Sequence, residues 1–294
     1  MQIGILAHPR RQESIPIARE VAAIVAARGL PLWMRETWAE EDIPPLMPDT
    51  QMLVAIGGDG AMLRAARLGA PHAVPVFGLN AGYLGFLTEA NPEDWETCLD
   101  RILEGKHWIE SRLMITGEVW RAGERIYRQD ALNDVVVSRG AAAHLIRLDS
   151  YVENDWITSY NADGLIIATP TGSTAYALAV GGPILPPDLN NILMIPVAPH
   201  LSMERPVVLS QGVMLRLVVP KQSRAECVVS VDGRDAVPLE IGDEVRVYAC
   251  QHRGLFVRLQ GRNYFFRSLM DRMEPRFLPR HPLERPNGEQ PNSI

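Results

Sequence analysis

The run LVAIGGDGAMLRAA, residues 53–66, decides how this chain is read. Four apolar residues stop at Gly57 and Gly58, Asp59 and Gly60 follow, and a helical pattern takes over from Ala61. A buried strand that turns through glycines into a helix leaves free N–H groups at the turn, a geometry suited to an anion. Gly57, Gly58 and Gly60 tolerate positive φ and let a ligand approach the backbone closely. The spacing is not the dinucleotide fingerprint G-x-G-x-x-G, because the sixth position counted from Gly58 is Leu63. Asp59 has two readings at this point. It is a helix N-cap, worth about 1 kcal/mol, or a carboxylate presented to a ligand, which would explain more glycine than a cap needs.

Outward from that loop, strand and helix patterns alternate. QIGILA (2–7), PLWM (31–34), QMLVAI (51–56) and AVPVFGLN (73–80) read as strands. Residues 14–28 and 61–69 carry helical periodicity and close at glycine, and NPEDWETCLDRILEGK opens on Asn-Pro with acidic residues, as a capped helix does. Such alternation predicts a parallel, Rossmann-like sheet covered by helices over residues 1–110.

From about residue 111 the texture changes. RLMITGEVW and ERIYRQD flank RAG, and AAHLIRLDSYV and WITSY flank END, two hairpin patterns. Further strand candidates are VMLRLVV, ECVVSVDG, EVRVYAC and GLFVRLQ, with one helical interruption at 173–181. Residues 111–264 are therefore expected to form a β-rich, sandwich-like domain. Residues 265–294 form a C-terminal segment whose Pro-, Arg- and Asn-rich end is expected to be disordered.

Composition narrows the function classes. The chain has 294 residues, 47% hydrophobic and 22% charged, with a net charge of −6. That suits two packed domains and argues against a general nucleic-acid binder, though not against a nucleotide ligand. Lys106 and Lys221 are the only lysines, so a G-x-x-x-x-G-K-[ST] phosphate loop is absent. Cys98, Cys227 and Cys250 are too dispersed for a disulfide framework or a zinc site. The short N-terminal strand lacks the features of a signal peptide, and no apolar run would span a bilayer. These points predict a soluble cytoplasmic protein with no membrane or nucleic-acid partner.

Two further stretches carry candidate chemistry. NADGLIIATPTGSTAYALAVGGPI (161–184) runs a buried strand into Thr169, Thr171, Ser173 and Thr174 around Gly172. Those hydroxyls either cap a helix or hold a phosphate or ribose. ALNDVVVSR (131–139) opens a β-branched strand with Asn133-Asp134. The pair is either a turn or a reader of a base edge and a sugar hydroxyl. There is no H-E-x-x-H or G-x-S-x-G, and the histidines lack ligand spacing.

Taken in order, GGDGA, NAGYLGFLTE (80–89), LNDVVV, DGLIIATPTGSTAYALAVGGPI, PHLSMERPVVL (199–209) and VDGR (231–234) resemble the motifs of the bacterial and archaeal NAD kinases. The resemblance covers residues 57–234. It implies transfer of the terminal phosphoryl of ATP or polyphosphate to the 2′-hydroxyl of the adenosine ribose of NAD. It also implies Mg²⁺ carried mainly by the phosphates, a homodimer or homotetramer, and a C-terminal segment returning to the first domain. Asp59 would face the 2′-hydroxyl as its base. Gly60, Phe86, Asn133, Asp134, Thr171, Thr174, Ala175 and Tyr176 match the NAD pocket, and Asp163 the residue reaching the nicotinamide end. Gly57, Gly58 and Gly60 would meet the ATP phosphates. Arg64 and Arg67, one turn apart, are candidate phosphate contacts from their place after the loop alone. Ala61 departs from the family, which has threonine there. Two alternatives stand beside this reading: a G-G-D-G kinase of a lipid or other alcohol, and an NAD-binding regulator without turnover.

Overall fold

The structure is a computed structural model that describes residues 1–8, 11, 13–36, 42–82, 85–141, 144–223, 225–234 and 236–273. In chain order it begins β1 (Ile3–Ala7), α1 (Ser14–Ala27), β2 (Leu32–Arg35), β3 (Met52–Gly57), α2 (Asp59–Gly69), β4 (Val76–Asn80), α3 (Trp95–Leu103) and β5 (Trp108–Arg112). It continues β6 (Ile115–Arg121), β7 (Glu124–Ala131), β8 (Asp134–Arg139), β9 (Ile146–Val152), β10 (Asp155–Ala162), β11 (Gly164–Ala168) and α4 (Tyr176–Ala179). The rest is β12 (Asn191–Val197), β13 (Val207–Ser210), β14 (Leu215–Val218), β15 (Cys227–Val231), β16 (Val237–Leu239), β17 (Glu244–Ala249), β18 (Gly254–Arg258) and α5 (Tyr264–Met273).

The first sheet has the order β2-β1-β3-β4-β18-β5. Its first four strands are parallel, as the alternating pattern predicts. All of β3 is buried because both faces are covered. Met52, Val54 and Ile56 pack with Val21 and Val25 of α1 and Trp95 and Leu99 of α3. Leu53 and Ala55 pack with Met62, Ala65 and Ala66 of α2, where Met114 and Leu132 from the β-rich part join the same core. Helix α2 therefore lies between the first sheet and the rest of the fold.

Two antiparallel sheets, β10-β9-β14-β17-β6-β7 and β13-β12-β11-β8-β15-β16, share one core. Val135 and Val137 of β8 and Leu165 and Ile167 of β11 point into it. Val136 and Ile166 point to the other face, where Ala177 and Leu185 cover them. This is the expected β-rich, sandwich-like half.

Three features differ from the sequence reading. β18 lies in the first sheet, not in the β-rich half: Phe256 pairs with Val76, and the strand runs antiparallel to β5. Its alternate residues explain this, since Phe256 enters one core of that sheet and Val257 the other. The helix expected over 173–181 shrinks to a 3₁₀ turn at Gly172–Thr174 and the four-residue α4. Ala175, at φ −104° and ψ −125°, breaks the helical path between them. Strands β5, β12, β13 and β16 were not apparent from the sequence pattern.

The chain divides at Gln260 and Gly261 into two units. In the second, Arg267 of α5 donates to Asn263 Oδ1 at 2.8 Å. The tail expected to be disordered, 274–294, lies outside the described residues.

Candidate active site

Asp59 is the first residue of α2, and its carboxylate makes no cap bond to the helix. The N-cap reading is thereby corrected. Oδ2 accepts the Phe86 N–H at 3.0 Å and Oδ1 the Leu87 N–H at 2.9 Å. The NAGYLGFLTE loop thus closes over the G-G-D-G turn. Gly85 makes this possible, because a Cβ there would stand 1.9 Å from Asp59 Oδ1. Gly57, at φ +153°, occupies a conformation nearly reserved to glycine. Arg11 reaches the same loops: its Nη1 donates to Ala81 O at 2.8 Å, and Gly58 and Gly82 both lie beside its guanidinium.

A buried ionic network backs the closing loop. Arg258, fully buried, donates to Leu87 O at 3.0 Å and pairs with Glu89 at 3.0 Å and Glu110 at 2.8 Å. Glu110 also pairs with Arg112 at 3.0 Å, and Arg112 Nη1 donates to Thr171 Oγ1 at 3.2 Å. Burial alone would raise the Glu110 pKa, but the charges of Arg112 and Arg258 outweigh it and hold the group below the usual carboxylate range. Arg258, Glu110 and Arg112 were not singled out from sequence, because the partners in this network lie up to 171 positions apart.

Asn133 and Asp134 stand at the start of β8, gripped from two sides. Asn133 O accepts the Thr169 N–H at 2.9 Å, and Gly172 packs so near that a Cβ there would meet Asn133 O at 2.1 Å. On the other side Asp232 Oδ1 accepts the N–H groups of Asn133 at 2.8 Å and Asp134 at 3.2 Å. Asp232 Oδ2 accepts the Leu132 N–H at 3.0 Å and pairs with Arg67. Arg67 is 10% exposed and Asp232 0%, so the phosphate role considered for Arg67 is corrected: its guanidinium is spent on Asp232. Asp134 is buried, and burial first, then the neighbouring Asp232 charge, push its carboxyl up to about 7.

A cleft of about 370 Å³ gathers Asn133, Asp134, Ala175, Tyr176 and Asp232 with Leu63 of α2. Leu63 follows Asp59 by four residues, so the two share a face of the helix one turn apart. The cleft therefore adjoins the glycine turn. Tyr176 is 46% exposed, an aromatic face open to a ligand.

Other expected site residues lie elsewhere. Thr171 is buried with its hydroxyl on Arg112, and Thr174 Oγ1 donates to Thr171 O at 3.0 Å. Thr169 donates to Leu132 O, and Ser173 Oγ donates to Pro170 O at 2.7 Å and accepts the Leu185 N–H at 2.9 Å. The hydroxyl cluster fastens this turn to the fold. Asp163 pairs with Arg139 at 3.0 Å. The register pairs Gly164 with Ser138 and Ala168 with Asp134, so Asp163 sits at the other end of β8, roughly 13 Å along the strand from the Asn133–Asp134 end. Arg64 is half-buried on α2, turned about 140° around the helix from Asp59.

The comparisons with known proteins agree with this architecture. Residues 45–107 match the ATP-NAD kinase N-terminal domain and residues 132–259 the ATP-NAD kinase C-terminal domain. The chain is 35% identical over 272 residues to the NAD kinase of Chloroflexus aggregans, an alignment covering 92% of this chain and 98% of that one. Its fold is similar to that of yeast NADH kinase complexed with NADH, at a TM-score of 0.79 and 24% identity over 92% of this chain and 86% of that one. It is also similar to an NAD kinase from Archaeoglobus fulgidus in complex with ATP, at a TM-score of 0.73 and 24% identity over 92% and 98%. At that identity the two structures speak for the fold alone. On the matched domains and the curated relative, the chain belongs to the NAD kinase family.

Proposed function

We propose that this protein transfers the terminal phosphoryl group of ATP to the 2′-hydroxyl of the adenosine ribose of NAD, giving NADP. One observation carries the reading: Asp59 and Leu63 share a face of α2, and Leu63 lines the cleft that holds Asn133, Asp134 and Tyr176. The adenosine of NAD would lie on Asn133, Asp134, Ala175 and Tyr176, with its ribose toward Asp59 and Phe86. Thr171 and Thr174 would shape the pocket through the turn they fasten. Each Asp59 oxygen already accepts one N–H, which leaves lone pairs for the hydroxyl.

In the reaction the 2′-oxygen bonds to the γ-phosphorus while its proton passes to Asp59. The bond from that phosphorus to the β–γ bridging oxygen breaks, and ADP leaves with the electron pair. Such transfers are governed by positioning and charge neutralisation. The amides of Gly57, Gly58 and Gly60, with Arg11, would meet the donor's phosphates. Among the described residues no three His, Cys, Asp or Glu side chains gather as a cation site. A divalent ion, Mg²⁺, would come with the phosphates and supply charge neutralisation.

The reading extends to a cytoplasmic homo-oligomer. Cys98, Cys227 and Cys250 are free and buried, which suits a reducing compartment. No helix among the described residues is long and apolar enough to cross a membrane. Asp163, remote from its own cleft, would serve a second copy's site.

The test is NADP formation from NAD, ATP and Mg²⁺, with polyphosphate as a second donor and light scattering for the oligomer. Asp59→Asn should lower kcat by about 10²–10⁴-fold. Binding of NAD without turnover under either donor would instead mark a regulator.

A further inference from the structure

Asp232 lies in the tight turn between β15 and β16, where its φ is +49° and that of Gly233 is +65°. Arg234 N–H closes the turn on Val231 O at 3.1 Å. Asp-Gly suits such a turn, but Asn-Gly suits it at least as well. The turn therefore does not explain why a carboxylate stands here. The partners of that carboxylate do. It receives three consecutive backbone N–H groups, from Leu132, Asn133 and Asp134, and the guanidinium of Arg67. Its own N–H donates back to Asp134 O at 3.0 Å. Arg67 lies two helical turns beyond Asp59 on α2.

We infer that the Arg67–Asp232 pair is a positioning element of the active site, holding Asn133 and Asp134 at a set distance from Asp59 and setting the charge that the Asp134 carboxyl faces. The inference rests on the proposed NAD site only for its functional meaning. The electrostatic part belongs to the free protein. A buried ion pair retained only for stability could be replaced by apolar residues at little cost. This pair cannot, because removing either member also changes the site.

Among the described residues, the charged and titratable groups around Asp134 are few. Asp232 follows β15, and Arg67 of α2 partly neutralises it. Tyr176 shares the cleft, and Tyr127 of β7 stands near enough to Arg67 to feel its charge. On the other flank β11 presents Ala168. With Asp232 the only carboxylate of this set beside Asp134, opposite substitutions have opposite effects. Asp232→Asn keeps the turn and removes a negative neighbour, so Asp134 loses its proton at lower pH. Arg67→Gln leaves Asp232 uncompensated, so Asp134 holds its proton to higher pH.

The experiment is titration of the Asp134 side-chain carboxyl by ¹³C NMR in the full-length protein without ligand, with Asp134→Asn to assign the signal. The KM for NAD and kcat are then followed against pH in the same variants. The expected result is a midpoint near neutrality in the parent. It should move down by about one pH unit in Asp232→Asn, up in Arg67→Gln, and back to the parent value in Arg67→Lys, which restores the charge. KM for NAD should follow those midpoints and rise more than kcat falls. Equal loss of folding stability in Asp232→Asn and Arg67→Gln, with the Asp134 midpoint unmoved in both, would overturn the inference. If either variant fails to fold, Arg67→Lys and the remaining variant decide by the same midpoint. Shifted midpoints in a protein that does not phosphorylate NAD would sink the proposed reaction and leave the electrostatic inference standing.

Discussion

Asp59 belongs to the glycine-rich side of the site and Asn133–Asp134 to the sheet side, and different forces hold them. On the glycine side the carboxylate is fixed by neutral backbone amides, and room is made by omitting a Cβ at Gly85. On the sheet side a backbone turn is fixed by a buried carboxylate and its arginine. The first arrangement leaves the charge of Asp59 available for substrate. The second spends two charges on holding the frame, and the charge of Asp232 adds to burial in raising the proton affinity of Asp134. A steric defect should therefore damage the glycine side most, and a charge defect the sheet side.

The steric side breaks first and hardest. Gly85→Ala places a methyl group 1.9 Å from Asp59 Oδ1, where the carboxylate is tied to two amides and cannot retreat without losing them. Turnover should fall about as far as for loss of Asp59 itself, 10²–10⁴-fold. Gly85, Asp59 and Phe86 are half-buried and belong to none of the apolar cores, so the thermal midpoint should move far less than activity. A variant that keeps more than a tenth of the parental kcat would show that the loop does not hold Asp59 in the working state.

Next is the network behind the closing loop. Arg258→Met leaves Glu89 and Glu110 buried without that cation, and an uncompensated buried charge costs about 3–5 kcal/mol. The urea midpoint should drop accordingly. An unchanged midpoint would mean that Arg112 alone satisfies the cluster.

The sheet side carries a pH dependence of its own. Asp134 has a carboxyl raised to about 7 in the folded protein against an ordinary value of 3.8 when unfolded. The folded state thus holds this proton more tightly between those limits, and its contribution to stability is complete below about pH 4. It declines as pH rises, by at most about 1.4 kcal/mol per pH unit, and is exhausted once pH passes the folded value. Asp134→Asn should remove that slope and be more stable than the parent at pH 8. If Asp134 holds NAD, the same variant should bind it more weakly, so stability and function would part company at one residue.

The same contrast explains what could be read from the sequence. Strands β1, β3 and β4 are apolar runs ended by turn residues, and local pattern suffices to find them. Strand β5, WIESR, is an edge strand whose buried Glu110 is met by Arg258 from β18 and itself pairs with the buried Arg112. No local rule announces a charge whose partner is 148 residues away. Asp59 was conspicuous among glycines, yet its holders are the amides of Phe86 and Leu87, which any sequence would supply. Asp232 stands in the sequence only within VDGR, and its role as a holder of the sheet side exists only after α2 and β8 have met. The hydroxyls after Ala168 invited a phosphate because donors and acceptors look alike in sequence whether they face a ligand or the chain itself.

The smallest expected effect tests the one departure from the family in the opening motif. Ala61 is 2% exposed, belongs to the apolar core under α2, and packs against Gly57, where a Cβ would lie 2.8 Å away. Its side chain is directed at the protein, so the hydroxyl of Ala61→Thr would have to be accommodated in that contact or turn toward the glycine loop. Crowding a packed site costs about 1–3 kcal/mol, while a new bond to a phosphate would return about 1.5–3 kcal/mol in donor binding. With those terms opposed, Ala61→Thr should lower the thermal midpoint slightly and change KM for ATP by no more than a few-fold, with KM for NAD unmoved. A parent without turnover beside an active Ala61→Thr would reverse that conclusion, because the missing hydroxyl would then outweigh every contact that holds Asp59 in place.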